Sequence, residues 1–471
     1  MADPKFVPIF AEPLERYRSL LPDEYEELEQ AARWAKERFA GRAIWNISST
    51  ARGGGVAEML RALLPYARDA GVDVRWVVLR EGPEFFAVTK RLHNHLHGDP
   101  GDGGALDEEA RQLYESVLRA NGDALGPQMQ SGDVVYLHDP QTAGMVPVLR
   151  ERGLKVVWRC HIGVDRPNDV VRGAWDFLRP YVEQASAYVF SRRDYVWDGL
   201  DREKVWCMPP VIDPFSPKNQ DFAPEVTASI FKSLGLIPDG REGAPVFERS
   251  DGTPGRVERR PTVLQEEPVP DGAKVVAQVS RWDRLKDPHG LLTMLAEHLD
   301  DSDLHLVLVG PDAGSVADDP EGAAVYGDAA ETWRRLEPEH RRRAHLFSLP
   351  MLDVEENGAM VNAIQRRADV VLQKSIAEGF GLTVAEAMWK RRPVVASRVG
   401  GIQDQVKDGV TGLLIDDPRD LAACAKAIEH LIADPQLARE MGEAGRQRVI
   451  DNYLAVHRLR EYVDLIATLI S

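Results

Sequence analysis

The chain reads as short apolar runs separated by longer stretches whose apolar positions recur at helical spacing. In the first half the runs are "AIWNIS" (43–48), "VDVRWVVLR" (72–80), "DVVYLHDP" (133–140), "LKVVWRCHIG" (154–163), "AYVFSR" and "KVWCMPP". In the second half they are "KVVAQVS", "LHLVLVG" (304–310), "AHLFSLP" (344–350), "DVVLQKS", "RPVVAS" and "TGLLID" (411–416). Runs this short and this rich in Val, Ile and Leu predict strands buried on both faces. Helical stretches between them predict parallel sheets, so the fold class is α/β.

Residues 14–40 are helical and acidic, with Pro22 dividing them into two short helices. Residues 210–273 are a transition rich in Pro, Gly and charge. Within it, "DGREGAPVFERSDGTPGRVERRP" (239–261) is too poor in apolar residues for a core and predicts an exposed loop or insert. The chain ends in amphipathic helices, the last being "YLAVHRLREYVDLIATLI". No internal repeat is present beyond the shared strand–helix rhythm.

Three loops carry candidate chemistry. After "ADVVLQKS" comes "EGFGLT" and a helix expected to begin near Thr383, with Glu378 and Glu386 bracketing the loop. Gly379 and Gly381 allow a close backbone approach to a ligand. Loop amides and the positive helix end make an anion site. Thr383-Val-Ala-Glu386 also fits a capping box, in which Glu386 would only satisfy a helix end. Upstream, "VSRWDRLKD" places Arg281 and Lys286 on a strand-to-helix loop, with Asp287 and Pro288 as N-cap and first residue of the next helix. Cations on one loop, with amides and carboxylates on the other, suit a ligand bearing both phosphate and sugar hydroxyls. In the first half, Gly53, Gly54 and Gly55 form a third glycine loop after a strand, without a Gly-x-Gly-x-x-Gly pattern. Asp139 and His161 stand at the carboxyl ends of two strands, where parallel sheets bind ligands. A helix cap for Asp139 and a satisfied core histidine for His161 are the alternatives. His93 and His97 sit at i, i+4 and read as a helix face rather than a metal pair. Asp301-Ser302-Asp303 precedes a strand and reads as a surface turn, away from the ligand edge.

Composition narrows the classes. A net charge of −17 argues against nucleic acid or an anionic membrane as partner, so the cations that meet an anionic ligand must be local. No apolar run is long enough for a membrane span, and the N-terminal stretch lacks the pattern of a signal peptide. Three scattered cysteines, Cys160, Cys207 and Cys424, fit a reduced, cytoplasmic protein without a disulfide framework or zinc site.

The two second-half loops, with seven residues between Glu378 and Glu386, resemble the donor half of retaining glycosyltransferases with two Rossmann-like domains, the family of sucrose and bacterial glycogen synthases. "NISSTARGGGVAEMLRALLPYARDAG", "VVWRCHIGVDRPN" and "FERSDGTPGRV" resemble more narrowly the trehalose glycosyltransferring synthases. The resemblance implies two Rossmann-like domains facing across a cleft (GT-B type). Residues 1–212 would form the acceptor domain, with helix 453–471 crossing back to it, and 213–452 the donor domain. It implies glucose transfer from a nucleotide-glucose to free glucose, giving α,α-trehalose with retention and without a metal ion. Arg281 and Lys286 would bind the diphosphate, Glu378 the transferred sugar and Glu386 the ribose. Gly54, Gly55, Gly379, Phe380, Gly381, Leu382 and Thr383 would complete the donor site. Asp139 would position the acceptor, and His161 would meet the transferred sugar or the reacting hydroxyl.

No cofactor is implied beyond the substrate, a nucleotide-glucose such as UDP-glucose, ADP-glucose or GDP-glucose. The partners are that donor and a small sugar acceptor, with no nucleic acid and no membrane, and a homodimer is compatible with the chain. Alternatives are a different acceptor (fructose, or a sugar phosphate held by Arg52, Lys90, Arg159 or Arg166), a phosphorylase-like enzyme, and a non-catalytic nucleotide-sugar binder.

Overall fold

The computed structural model describes residues 5–51, 54–237, 244–312 and 321–470. The chain divides into two compact units, Met1–Val211 with Leu454–Ser471, and Ile212–Tyr453. Each is a Rossmann-like parallel sheet covered by helices.

The first unit holds β1 (Lys5–Val7), β2 (Ala43–Ser48), β3 (Asp73–Val78), β4 (Val134–His138), β5 (Lys155–Cys160), β6 (Ala187–Phe190) and β7 (Val205–Cys207). Their order is β1-β3-β2-β4-β5-β6-β7, with only the edge strand β1 antiparallel. Every residue of β2, β4 and β6 is buried, which is why these segments read as unbroken apolar runs. Trp158 and Trp175 pack on Trp197 with ring centroids 5.1 and 5.7 Å away, filling the layer beside β5. The helix Tyr25–Arg38 follows a 3-10 turn at Leu14–Ser19, so the break expected around Pro22 is present.

The second unit holds β8 (Val246–Glu248), β9 (Pro254–Arg256), β10 (Thr262–Leu264), β11 (Lys274–Val279), β12 (Leu304–Pro311), β13 (Ala344–Leu349), β14 (Val370–Gln373), β15 (Val394–Ser397) and β16 (Leu413–Ile415). The sheet order is β10-β13-β12-β11-β14-β15-β16, antiparallel only at β10. Counted from β11, the parallel strands run 3-2-1-4-5-6, the order of a dinucleotide-binding fold. Asp301 and Asp303 form a turn before β12, where the Asp303 amide donates to Asp301 Oδ1 at 2.9 Å, at the amino edge of the sheet. Among the described residues no group of His, Cys, Asp and Glu is arranged to hold a metal ion, and no helix is long and apolar enough to cross a membrane.

Among its described residues the polar stretch 239–261 is mostly exposed, as expected, but it is not a structureless loop. Its first part, 239–243, lies outside the described residues, but β8 and β9 form a hairpin clamped onto the helix Val354–Arg367. Arg249 pairs with Asp353 at 2.7 Å and Glu355 at 3.0 Å. The amides of Glu258 and Arg259 donate to Glu356 Oε1 at 2.6 and 2.7 Å, and the Arg259 guanidinium pairs with the other oxygen. Phe247 is buried beneath Arg249. The segment is polar because charged groups, rather than an apolar face, dock it.

On β12 and β13, His305 Nδ1 and His345 Nε2 are 2.9 Å apart, and His345 Nδ1 meets Gln265 Oε1 at 3.1 Å. One ring must donate and the other accept. Burial lowers His305 from the ordinary 6.5 to about 4, and His345 to about 3. The unfolded chain takes up these protons below pH 6.5 while the folded chain refuses them, so stability falls as pH drops from 6.5 toward 4. Thermal midpoints measured across that window should decline, and His345→Gln should make the slope shallower. An unchanged slope would show that the pair does not set acid stability.

Candidate active site

In the second unit the chain leaves β11 toward β12 on one side and later returns to β14 on the other. The loops after β11 and β14 therefore diverge at a switch point, where α/β sheets bind ligands. Both cationic and glycine-loop motifs emerge there. The structure stitches them together through residues at the strand ends. Gln278, near the end of β11, accepts the Lys374 amide at 2.9 Å and donates to the Lys286 carbonyl at 2.8 Å. The Ile376 amide donates to the Leu285 carbonyl at 2.7 Å. Asp287 is the expected N-cap, accepting the Gly290 amide at 3.0 Å, and its other oxygen pairs with Lys374. It holds a left-handed backbone, φ 50°.

The outcome is a contact between two predicted residues, with Lys286 Nζ 2.6 Å from Glu378 Oε2. Gln373 Nε2 and Ser375 Oγ also donate to that oxygen, at 3.2 and 3.4 Å. Thr383 Oγ1 donates to Gln373 Oε1 at 2.6 Å and so fixes which end of the Gln373 amide faces Glu378. The ion pair is largely buried, with 14% and 13% of the two side chains exposed. Such a pair offsets its desolvation only when neighbouring groups satisfy the charge, as these do. Arg281 stands on the same loop, 28% exposed and 3.7 Å from Asp283 Oδ2.

The glycine loop is shaped from below. Gly381 has φ +81° and caps the helix Leu382–Trp389. The Gly401 amide donates to the Gly379 carbonyl at 3.1 Å. Gln405 Nε2 donates to the carbonyls of Phe380 at 2.5 Å and Gly381 at 3.2 Å. These bonds turn loop carbonyls inward. The Phe380 ring is buried against Tyr453, 5.8 Å between centroids, so only its backbone belongs to the loop surface. Leu382 opens the helix, one residue before the expected start.

The capping-box reading of Glu386 is overturned. Gly381 is the N-cap, without a side-chain bond, and Thr383 is engaged with Gln373. Glu386 Oε1 instead pairs with Lys218 Nζ at 2.9 Å, and Oε2 is buried with no partner among the described residues.

In the first unit, Asp139 and His161 meet across the carboxyl edge of β4 and β5. Asp139 Oδ1 accepts the His161 amide at 2.7 Å and faces His161 Nδ1 at 3.0 Å. Asp139 caps no helix. Its backbone is left-handed, φ 64°, held by its amide on the Arg159 carbonyl and its carbonyl on Trp158 Nε1. The contact favours the tautomer protonated on Nδ1. Nε2 then presents a lone pair, and it has no partner among the described residues. Burial lowers the His161 pKa, which keeps the ring neutral. His138 stacks on this ring, 5.8 Å between centroids. Gly54 and Gly55 open the helix Gly55–Asp69 after β2, with open space where a Gly54 side chain would stand, while Gly53 and Arg52 lie outside the described residues. Of the other candidate phosphate ligands, Arg159 is turned into the interior, donating to the Met208 carbonyl at 3.2 Å over the Tyr462 ring. Lys90 is buried and Arg166 exposed.

Sequence reasoning missed Gln278, Gln373, Lys374, Gly401 and Gln405. A signal existed for the first three: each is a polar residue at the carboxyl end of an otherwise apolar run, where burial obliges it to find a partner.

The chain is similar to known proteins along most of its length. The family described as "Trehalose synthase, N-terminal domain" matches residues 46–197, and "Glycosyl transferases group 1" matches 260–448. The trehalose synthase of Rubrobacter xylanophilus is 38% identical over 467 residues, spanning 97% of this chain and 96% of that one. The trehalose synthase of Thermococcus litoralis is 36% identical over 453 residues, spanning 96% of each. An α,α-trehalose-phosphate synthase (UDP-forming) from Burkholderia vietnamiensis superposes with a TM-score of 0.67 over 90% of this chain and 98% of that one; at 16% identity the likeness is one of fold. Fold and relatives define a glycosyltransferase of two Rossmann-like domains. The chain belongs to the trehalose synthase family, and is a glycosyltransferase of trehalose metabolism.

A methyl group on Gly401 would stand 2.7 Å from Phe380 Cδ2 and 2.8 Å from its Cα. Backbone cannot yield easily, so Gly401→Ala should cost about 1–3 kcal/mol in stability. It should also displace Gly379–Gly381 and cut glycosyl transfer at least about tenfold. Chemical denaturation and initial rates check this, and wild-type rates would show that the loop's position is immaterial.

Proposed function

We propose that the chain transfers glucose from a nucleotide-glucose to free glucose, forming α,α-trehalose with retention and without a divalent metal. The observation that carries this reading is the Lys286–Glu378 pair, set beside Arg281 and the glycine loop at the switch point of the second unit. Arg281, Lys286 and loop amides stabilise charge on the departing diphosphate, which is electrostatic preorganisation of the leaving group. Glu378 accepts hydroxyls of the transferred glucose, and Glu386 those of the ribose. The bond from C1 to the phosphate oxygen breaks, and the bond from C1 to the acceptor oxygen forms on the same face. The proton of the attacking hydroxyl passes to the leaving phosphate. Asp139 orients His161, whose Nε2 accepts a hydrogen bond from a sugar hydroxyl. The metal-free reading is supported by side-chain cations where a metal would otherwise neutralise phosphate. The free-glucose reading is supported by family membership and by the inward turn of Arg159.

Incubation with nucleotide-glucose and glucose in excess chelator should give α,α-trehalose, identified by NMR. Loss of activity with chelator would end the metal-free reading, a β linkage would end retention, and transfer only to glucose 6-phosphate would end the free-glucose reading.

Arg281→Ala should lower turnover on the order of 100- to 1,000-fold with a nearly unchanged thermal midpoint, since the side chain is 28% exposed. Lys286→Ala should lower both, because it leaves the Glu378 carboxylate buried without its cation. Wild-type rates in both variants would remove the phosphate site.

A further inference from the structure

We propose that Lys218 is a positioning residue of the donor site, holding Glu386 as a fixed, ionised acceptor for the ribose hydroxyls of the nucleotide. This rests on the donor reading above. Lys218 lies in a segment without regular structure, yet the segment is tightly held. Asn362 Nδ2 donates to the carbonyls of Pro217 at 3.1 Å and Gln220 at 2.8 Å. Arg366 donates to those of Asn219 at 3.1 Å and Gln220 at 2.8 Å. Trp389 Nε1 donates to the Asn219 carbonyl at 2.9 Å, and Lys390 Nζ to Asn219 Oδ1 at 2.8 Å. Gly358 gives the segment room: a Cβ there would stand 3.2 Å from the Lys218 nitrogen.

This anchoring delivers one charge to one place. Lys218 Nζ is 2.9 Å from Glu386 Oε1, and the Glu386 side chain is only 3% exposed. A carboxylate so buried stays ionised only beside a cation. The neighbouring Lys390 does not fill that role, since its ammonium bonds the Glu386 backbone carbonyl at 3.2 Å and Asn219. With Oε1 engaged by Lys218, Oε2 is oriented, buried and without a partner among the described residues. An ionised oxygen in that state is an acceptor awaiting a hydroxyl donor, and the vicinal hydroxyls of a ribose supply two.

The experiment is calorimetric titration of the full chain with ADP, GDP and UDP, then with the 2′-deoxy and 3′-deoxy forms of the tightest binder. The wild type should prefer the ribonucleotide by about 10- to 100-fold, the scale of a hydrogen bond to a charged group. Lys218→Met should bring that ratio close to one, as should Glu386→Gln, while Lys218→Arg retains most of it. A purely structural role would weaken ribo and deoxy forms alike and leave the ratio intact, which would overturn the proposal. Should Lys218→Met fail to fold, Lys218→Gln carries the same comparison: a ratio near one supports the proposal and an intact ratio overturns it. Absence of binding by all three nucleotides in the wild type would instead overturn the donor reading itself.

Discussion

Two parallel strands cannot be joined by a tight turn. Each must be followed by a crossover that returns the chain to the same end of the sheet, so every strand-to-helix loop emerges at one edge. That constraint places the candidate chemistry of this protein. In the second unit the strand order splits the loops after β11 and β14, and Arg281, Lys286 and Glu378 all leave the sheet at that split. In the first unit Asp139 and His161 leave adjacent strands at the corresponding edge. The sites follow from connectivity before any side chain is considered.

Connectivity alone would leave these loops loose. Buried polar groups at the strand ends tighten them. Gln278 and Gln373 sit where they cannot reach water and must be satisfied by protein. Their partners are a loop carbonyl, a loop amide and the Glu378 carboxylate, so satisfying the glutamines also sets the geometry of the ion pair. Gln405 does the same for the glycine loop. Polar residues that look like blemishes in apolar strands are the supports of the site.

The same logic appears in the backbone. Among the described residues three non-glycines have positive φ, and two of them, Asp139 and Asp287, stand on the candidate site loops. Each is over-determined. Asp139 is tied by amide, carbonyl and carboxylate; Asp287 caps a helix and pairs with Lys374. Strained backbone persists where surrounding bonds outweigh its cost, and it clusters where ligands demand a fixed geometry. The overall charge of −17 gives no long-range attraction to an anion, so any anionic ligand would be met by a few local cations.

Much of this was legible in the sequence. Each apolar run named from it is a strand, and the Asp287–Pro288 helix start is where local chemistry placed it. These are short-range facts: strand burial on both faces, proline's fixed φ and a capping carboxylate each act within a few residues. The docking of the polar stretch around β8 and β9 was not legible because its partners, Asp353, Glu355 and Glu356, lie about a hundred residues away. For the same reason Thr383 and Glu386 looked like a capping box, while the fold gives Thr383 to Gln373 and Glu386 to Lys218. The sequence by itself determined which segments are strands, where the loops fall and which residue types the loops carry. Only the tertiary structure decided which charge meets which, because the competition for a buried carboxylate is settled by whichever distant group the packed fold brings within hydrogen-bonding reach.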